Sequence, residues 1–178
     1  MDITKISIGA NPPFDVNAVI EIPQGGEPVK YELDKASGAL MVDRFLHTAM
    51  FYPGNYGFIP HTLADDGDPM DIMVVGPTPV VPGAIIRCRP IGCLMMTDEK
   101  GADEKVLAVP VDALHPFYTG IDSWRSLPTI LTEQIAHFFK HYKDLEKGKV
   151  TEIVRWADVE EACELIRRAI ARAQSRPA

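Results

Sequence analysis

The chain has 178 residues, 46% of them hydrophobic and 24% charged, which suits one globular domain over 1–178 and excludes a disordered chain. A formal net charge of −7 argues against general nucleic-acid binding, which needs a basic surface. No run is long enough for a membrane-spanning helix, because the apolar stretch 72–86 is broken by Pro77, Pro79 and Pro82.

In chain order, the opening Met1-Asp2-Ile3-Thr4-Lys5 lacks the basic start and apolar run of a secretory signal, so a cytoplasmic protein is expected. Residues 16–22 read as a first strand, Gln24-Gly25-Gly26 as a turn, and residues 29–33 as a second strand. Alternation along that second strand puts Val29, Tyr31 and Leu33 on one face and leaves Lys30 and Glu32 on the other. Taken alone, the charged face reads as a solvated edge in preference to a pocket wall. Further strands are expected at 41–45, 71–75, 85–91 and 105–109, with proline and glycine clusters separating several of them. The period then changes. After Leu127, the residues Leu131, Ile135, Phe138, Tyr142 and Leu145 recur at helical spacing, with Gly148 as a stop. A second amphipathic helix begins near Asp158, with Glu161 placed for a capping box. The expected fold is α+β, a small closed OB-like β-barrel flanked by two C-terminal α-helices. Cys88, Cys93 and Cys163 lie in apolar sequence and read as small buried hydrophobes in a reducing compartment.

The densest chemistry is Asp65-Asp66-Gly67-Asp68-Pro69-Met70-Asp71. Gly67 relieves the steric limit on φ, and Pro69 fixes its own φ while restricting Asp68, so the segment is a stiff turn that aims side chains. Carboxylates this close repel one another and stay ionised together only with cations among them. Oxygen donors without a nearby thiol or imidazole point to Mg²⁺, Mn²⁺ or Ca²⁺ over zinc. An EF-hand loop starting at Asp66 would need Gly and Glu where the chain has Asp71 and Pro77, so that reading fails. Neither glycine-rich phosphate-cradling motif occurs either.

Other groupings are weaker singly. They are Glu21 with Lys30 and Glu32; Arg44 with the aromatic run Phe51-Tyr52-Pro53-Gly54-Asn55-Tyr56-Gly57-Phe58; the acidic turn from Asp98 to Asp103 leading into Lys105; and Tyr142-Lys143. The aromatic run reads as core, since aromatics supply so much buried area. His137 and His141 have the i, i+4 spacing of metal ligands but read as a surface or contact pair.

Together these segments resemble the family I soluble inorganic pyrophosphatases. The likeness runs from about residue 15 to about 150, through Val19-Ile20-Glu21-Ile22-Pro23, Lys30-Tyr31-Glu32, Asp43-Arg44-Phe45, Asp66-Gly67-Asp68-Pro69-Met70-Asp71, Met96-Thr97-Asp98-Glu99 and the stretch 137–146. The resemblance implies hydrolysis of pyrophosphate to two orthophosphates with several Mg²⁺ ions per site, Mn²⁺ or Zn²⁺ being able to substitute. It implies Asp66, Asp71 and Asp103 on the tightest ion, with Asp71 also facing a second and Asp98 binding ions that arrive with substrate. Asp68 would be the general base, and Lys30, Arg44, Tyr56, Lys105, Tyr142 and Lys143 would face the phosphates. Glu21 and Glu32 would stand behind them. A homohexamer built as a dimer of trimers is implied as well, with no nucleic-acid or membrane partner. His61 stands where some members carry asparagine.

Overall fold

Two apolar runs, Ile72 to Val75 and Val106 to Val109, fix the centre of the molecule. A computed structural model describes residues 2–175. Its strands are β1 (Val16–Ile22), β2 (Val29–Leu33), β3 (Leu40–Phe45), β4 (Asn55–Phe58), β5 (Asp71–Val74), β6 (Ile85–Asp98), β7 (Gly101–Ala102), β8 (Lys105–Pro110) and β9 (Thr151–Ala157). The helices α1 (Thr129–His141) and α2 (Val159–Ser175) flank β9 in the sequence. Strands β5 and β8 pair in parallel, Ile72 beside Val106 and Val74 beside Ala108. Both faces of this pair are buried, which is why their sequences are continuous apolar runs. Ile72, Val74, Val106 and Ala108 pack in one cluster with Ala162, Ile166 and Ala169 of α2. Met73, Val75, Leu107 and Val109 pack in another with Ile135, Phe138 and Phe139 of α1. Each fully buried side chain of this size contributes roughly 1.5–3 kcal/mol relative to exposure.

Around the centre the pairings run β1-β4-β5-β8-β6, with β7 and β9 on β6. The first half of β6 also pairs with β1, Val16 opposite Cys88 and Val19 opposite Ile85. Strands β2 and β3 form a separate two-stranded sheet. The chain is thus a mostly-sheet core with two helices, as the α+β reading expects.

Several expected boundaries move. Strand β6 runs on from Ile91 to Asp98, bending where its register on β8 shifts between Pro90 and Gly92. Strand β9 was not expected, because Glu152, Val154 and Arg155 leave it half exposed and blur its alternation. Strand β4 lies inside the aromatic run. Helix α1 ends at His141 rather than running through Leu145, which is exposed. Its last carbonyls are taken by side chains: Thr151 Oγ1 donates to Lys140 O at 2.8 Å, and Thr48 Oγ1 donates to Tyr142 O, just beyond the helix, at 3.1 Å. Only half of the expected capping box forms at α2. Asp158 accepts from Glu161 N at 3.1 Å, but the Glu161 carboxylate turns to Arg155 instead.

Gly57, in the middle of β4, lies tight against β1. A Cβ there would sit 1.8 Å from the Val19 carbonyl oxygen, which is backbone and cannot swing aside. We expect Gly57→Ala to lower stability by about 3 kcal/mol, the upper range for overpacking, in urea unfolding followed by circular dichroism. A loss below about 0.5 kcal/mol would contradict this packing.

Candidate active site

Strands β5 and β8 both open on a charged residue. Because the strands are parallel, Asp71 and Lys105 stand side by side at the same end of the pair. The buried Lys105 ammonium donates to both the Asp71 and the Asp103 carboxylates. Burial would pull this ammonium down, but the two carboxylates outweigh it and hold its pKa above the ordinary lysine value. Burial lifts Asp103 above the ordinary aspartate value, with Lys105 opposing and Asp71 adding to it.

This group is the floor of a hollow of about 360 Å³, whose walls are mostly polar. The acidic turn supplies Asp66 and Asp68, Gly67 between them taking φ 93°. Asp66 Oδ1 accepts from Asp68 N at 3.0 Å, and Lys35 reaches Asp68 at 3.3 Å. Asp65, alone of the four carboxylates in the turn, is off this wall and pairs with Arg172. The second acidic turn places Asp98 beside Lys143 at 3.0 Å, and Glu99 pairs with Lys149. Burial pushes Asp98 up, but hydrogen bonds from Lys100 N and the Lys143 ammonium prevail and leave it low.

The β2–β3 hairpin forms the opposite wall. Lys30 lies 3.1 Å from Asp43 and 3.7 Å from Glu32, and Arg44 reaches Asp43 at 3.2 Å and Glu146 at 3.1 Å. The charged face of β2 is therefore a pocket wall, which corrects the expected solvated edge. The alternation of β2 holds, but what its charged face opposes depends on chain far away in sequence. Tyr56 and Tyr142 enter from the aromatic cluster of Tyr52, Phe138 and Phe139, and burial raises both phenols. So the aromatic run splits. Tyr52 is core, while Tyr56 and Phe58 are buried and also line the hollow.

Asp43, Glu99 and Lys100, which lie within the quoted segments without an assigned role, and Lys35 and Lys149, which lie outside them, also line the hollow. Asp43 and Glu99 adjoin candidate residues in sequence, a signal that was available. Lys35, on a turn, and Lys149, just after one, have no such neighbour. His137 and His141 sit apart, rings 4.6 Å from each other, with His141 Nδ1 2.7 Å from Asp144. A larger hollow of about 620 Å³ lies beside His137 between α1 and residues 50–53, but it has few charged walls and little to perform chemistry with.

Among the described residues no three acidic, histidine or cysteine side chains are drawn together into a ready metal cage. The Lys105 ammonium already lies where Asp71 and Asp103 converge. The donor chemistry nevertheless fits Mg²⁺, since the acidic walls offer hard carboxylate oxygens and no thiol or imidazole.

The family model for inorganic pyrophosphatase matches residues 18–174. The inorganic pyrophosphatase of Caulobacter vibrioides is 81% identical over 172 residues, 97% of each chain. The chain belongs to the soluble family I inorganic pyrophosphatases of prokaryotic type. That of Rhodospirillum rubrum is 57% identical over 171 residues, 96% of each chain. Among solved structures, the inorganic pyrophosphatase of Thermus thermophilus matches with a TM-score of 0.93 at 41% identity, covering 98% of this chain and 100% of that one. An inorganic phosphatase from Anaplasma phagocytophilum matches at 0.94 and 53% identity, covering 96% and 100%.

Glu21 sits at the back of the hollow, where its Oε1 accepts from Leu33 N at 2.7 Å. Burial raises its pKa to about 7 from an ordinary 4.5, with the Leu33 bond opposing. A raised carboxyl binds protons more tightly folded than unfolded, so the metal-free protein loses stability as pH rises from about 4.5 through about 7. The full loss is roughly 3 kcal/mol at pH 8. Glu21→Gln, which keeps the acceptor, should raise the melting temperature of chelator-treated protein by several degrees at pH 8 and little near pH 4.5. Equal shifts at the two pH values would contradict it.

Proposed function

We propose that this single domain hydrolyses inorganic pyrophosphate to two orthophosphates. The observation that carries the reading is the interleaving of carboxylates with Lys30, Arg44, Lys105 and Lys143 around one small hollow. A strongly anionic substrate needs the cations, while so many carboxylates would repel it unless divalent ions stand between. Mg²⁺ is the proposed cofactor, several ions per site with Mn²⁺ or Zn²⁺ able to substitute, and when bound it offsets phosphate charge and acidifies the attacking water.

In this reading Asp66, Asp71 and Asp103 hold the tightest ion. Asp71 also faces a second, and Asp98 takes ions brought with substrate. Asp68 accepts the proton of the attacking water; its carboxylate is half exposed and, among the described residues, paired with Lys35, which leaves it room to turn toward substrate. Arg44 offers a planar fork to one phosphate, and Lys30, Lys105 and Lys143 offer point charges to the other oxygens. Tyr56 and Tyr142, their phenols held protonated by burial, donate hydrogen bonds. Glu21 and Glu32 support Lys30 from behind. Pairing of β6 back onto β1 supports a closed OB-like barrel as the frame. A cytoplasmic homohexamer, arranged as a dimer of trimers and without nucleic-acid or membrane partners, completes the proposal. Among the described residues no helix is long and apolar enough to cross a membrane.

Phosphate release from pyrophosphate, measured with Mg²⁺, with excess chelator, and with ATP as the alternative substrate, tests the reaction. Rapid release from pyrophosphate with Mg²⁺ is expected, and full activity in chelator would overturn the metal requirement. Asp68→Asn should lower kcat by about 10²–10⁴-fold while Mg²⁺ affinity, read by calorimetry, stays near the original. Asp71→Asn should instead weaken Mg²⁺ binding. Near-normal kcat for Asp68→Asn at saturating Mg²⁺ would remove Asp68 from its role.

A further inference from the structure

The acidic turn is shaped by its own hydrogen bonds but aimed by something outside it. Ala64 N donates to Asp68 O at 2.7 Å, and Gly67 N donates to Ala64 O at 3.2 Å. At the stem, Thr62 Oγ1 accepts from Met70 N at 2.9 Å and donates to Ile59 O at 2.6 Å. These bonds set the turn's shape and close its base. They leave open the angle at which it projects over the hollow.

That angle is held from α2. Leu63 N donates to Ala169 O at 3.0 Å. Arg172 Nε donates to Leu63 O at 2.8 Å, and the same guanidinium donates to the Asp65 carboxylate. Ala169 and Arg172 are three residues apart and lie one above the other on a helix face. Ala162, Ile166 and Ala169 of that helix are buried in the same apolar cluster as β5 and β8. One patch of a firmly seated helix thus grips both backbone groups of Leu63 and the residue next to Asp66.

We propose that Arg172 is a positioning residue, which sets the angle of the acidic turn and so the placement of Asp66 and Asp68 relative to Asp71 for divalent cations. This rests on the pyrophosphatase reading above. It also accounts for Asp65: the one carboxylate of the turn off the pocket wall is the handle by which α2 holds the others. Arginine suits the task because its planar fork reaches a carbonyl and a carboxylate at once.

The sign of the effect separates positioning from simple charge. Arg172 is a cation near a cation-binding turn, so on electrostatics alone its removal tightens Mg²⁺ binding. Loss of an outer support for metal ligands weakens it, by about tenfold at the lower end. The experiment titrates Mg²⁺ by calorimetry into chelator-stripped full chain carrying Arg172→Gln or Arg172→Lys. Melting temperature in chelator and pyrophosphate hydrolysis across Mg²⁺ concentrations are read in parallel. Arg172→Gln should bind Mg²⁺ about tenfold more weakly, with kcat at saturating Mg²⁺ within about twofold of the original. Arg172→Lys, which keeps the charge but not the fork, should fall between. Unchanged or tighter Mg²⁺ binding by Arg172→Gln overturns the proposal, and so does a kcat loss without weaker binding. Should Arg172→Gln fail to fold, original affinity in folded Arg172→Lys overturns it instead. An unaltered chain that neither binds Mg²⁺ nor cleaves pyrophosphate would refute the parent reading, a result distinct from failure of the variants alone.

Discussion

The contact of the Lys105 ammonium with Asp71 and Asp103 is the constraint on which the rest of the site depends. A buried ammonium without partners would shed its proton, and two carboxylates facing each other without a cation would not both ionise. Held together, they create a charged floor inside a protein whose neighbouring layers are apolar. Everything above that floor alternates in sign. Lys143 answers Asp98, Lys149 answers Glu99, and Lys30 and Arg44 share Asp43. Anions and cations can both enter such a hollow, but each must be matched by the other.

The fold produces this floor through one topological choice. The parallel pairing of β5 and β8 sets the first residue of each strand at the same end, so Asp71 and Lys105 meet without either strand bending. Their following residues are apolar on both faces and anchor the pair between α1 and α2. Turns carry Asp66, Asp68 and Asp103, while strands carry Glu21, Lys30, Arg44, Tyr56, Asp71, Asp98 and Lys105. Strand residues thus form the floor and one wall of the hollow, and the acidic turns, the first of them held by Arg172 of α2, complete it.

Much of this was legible in the sequence because the signals are local. The strands with continuous or alternating apolar residues, such as β1, β2 and β8, announce themselves, and so does the stiff turn built by Gly67 and Pro69. Strand β9 was hidden because its exposed Val154 and charged Glu152 and Arg155 leave no clean period. The end of α1 was hidden because its cap comes from Thr48 and Thr151, distant in sequence or beyond the apparent stop. The same holds for the wall formed by Lys30 and Glu32, and for the grip of Arg172 on Leu63 and Asp65. In each case the missing information is a partner brought up by tertiary structure, which no window along the chain contains.

The central claim is that the carboxylates of the floor require a cation among them, supplied by Lys105 and supplemented by divalent ions. The most direct measurement is the melting temperature of Lys105→Met at pH 8, in excess chelator and then in saturating Mg²⁺. Removing one partner of a buried ionic group should cost about 3–5 kcal/mol, so the variant should melt many degrees below the original chain in chelator. Added Mg²⁺ should recover most of that loss. A variant that melts with the original in chelator, or one that Mg²⁺ fails to restore, would contradict the account.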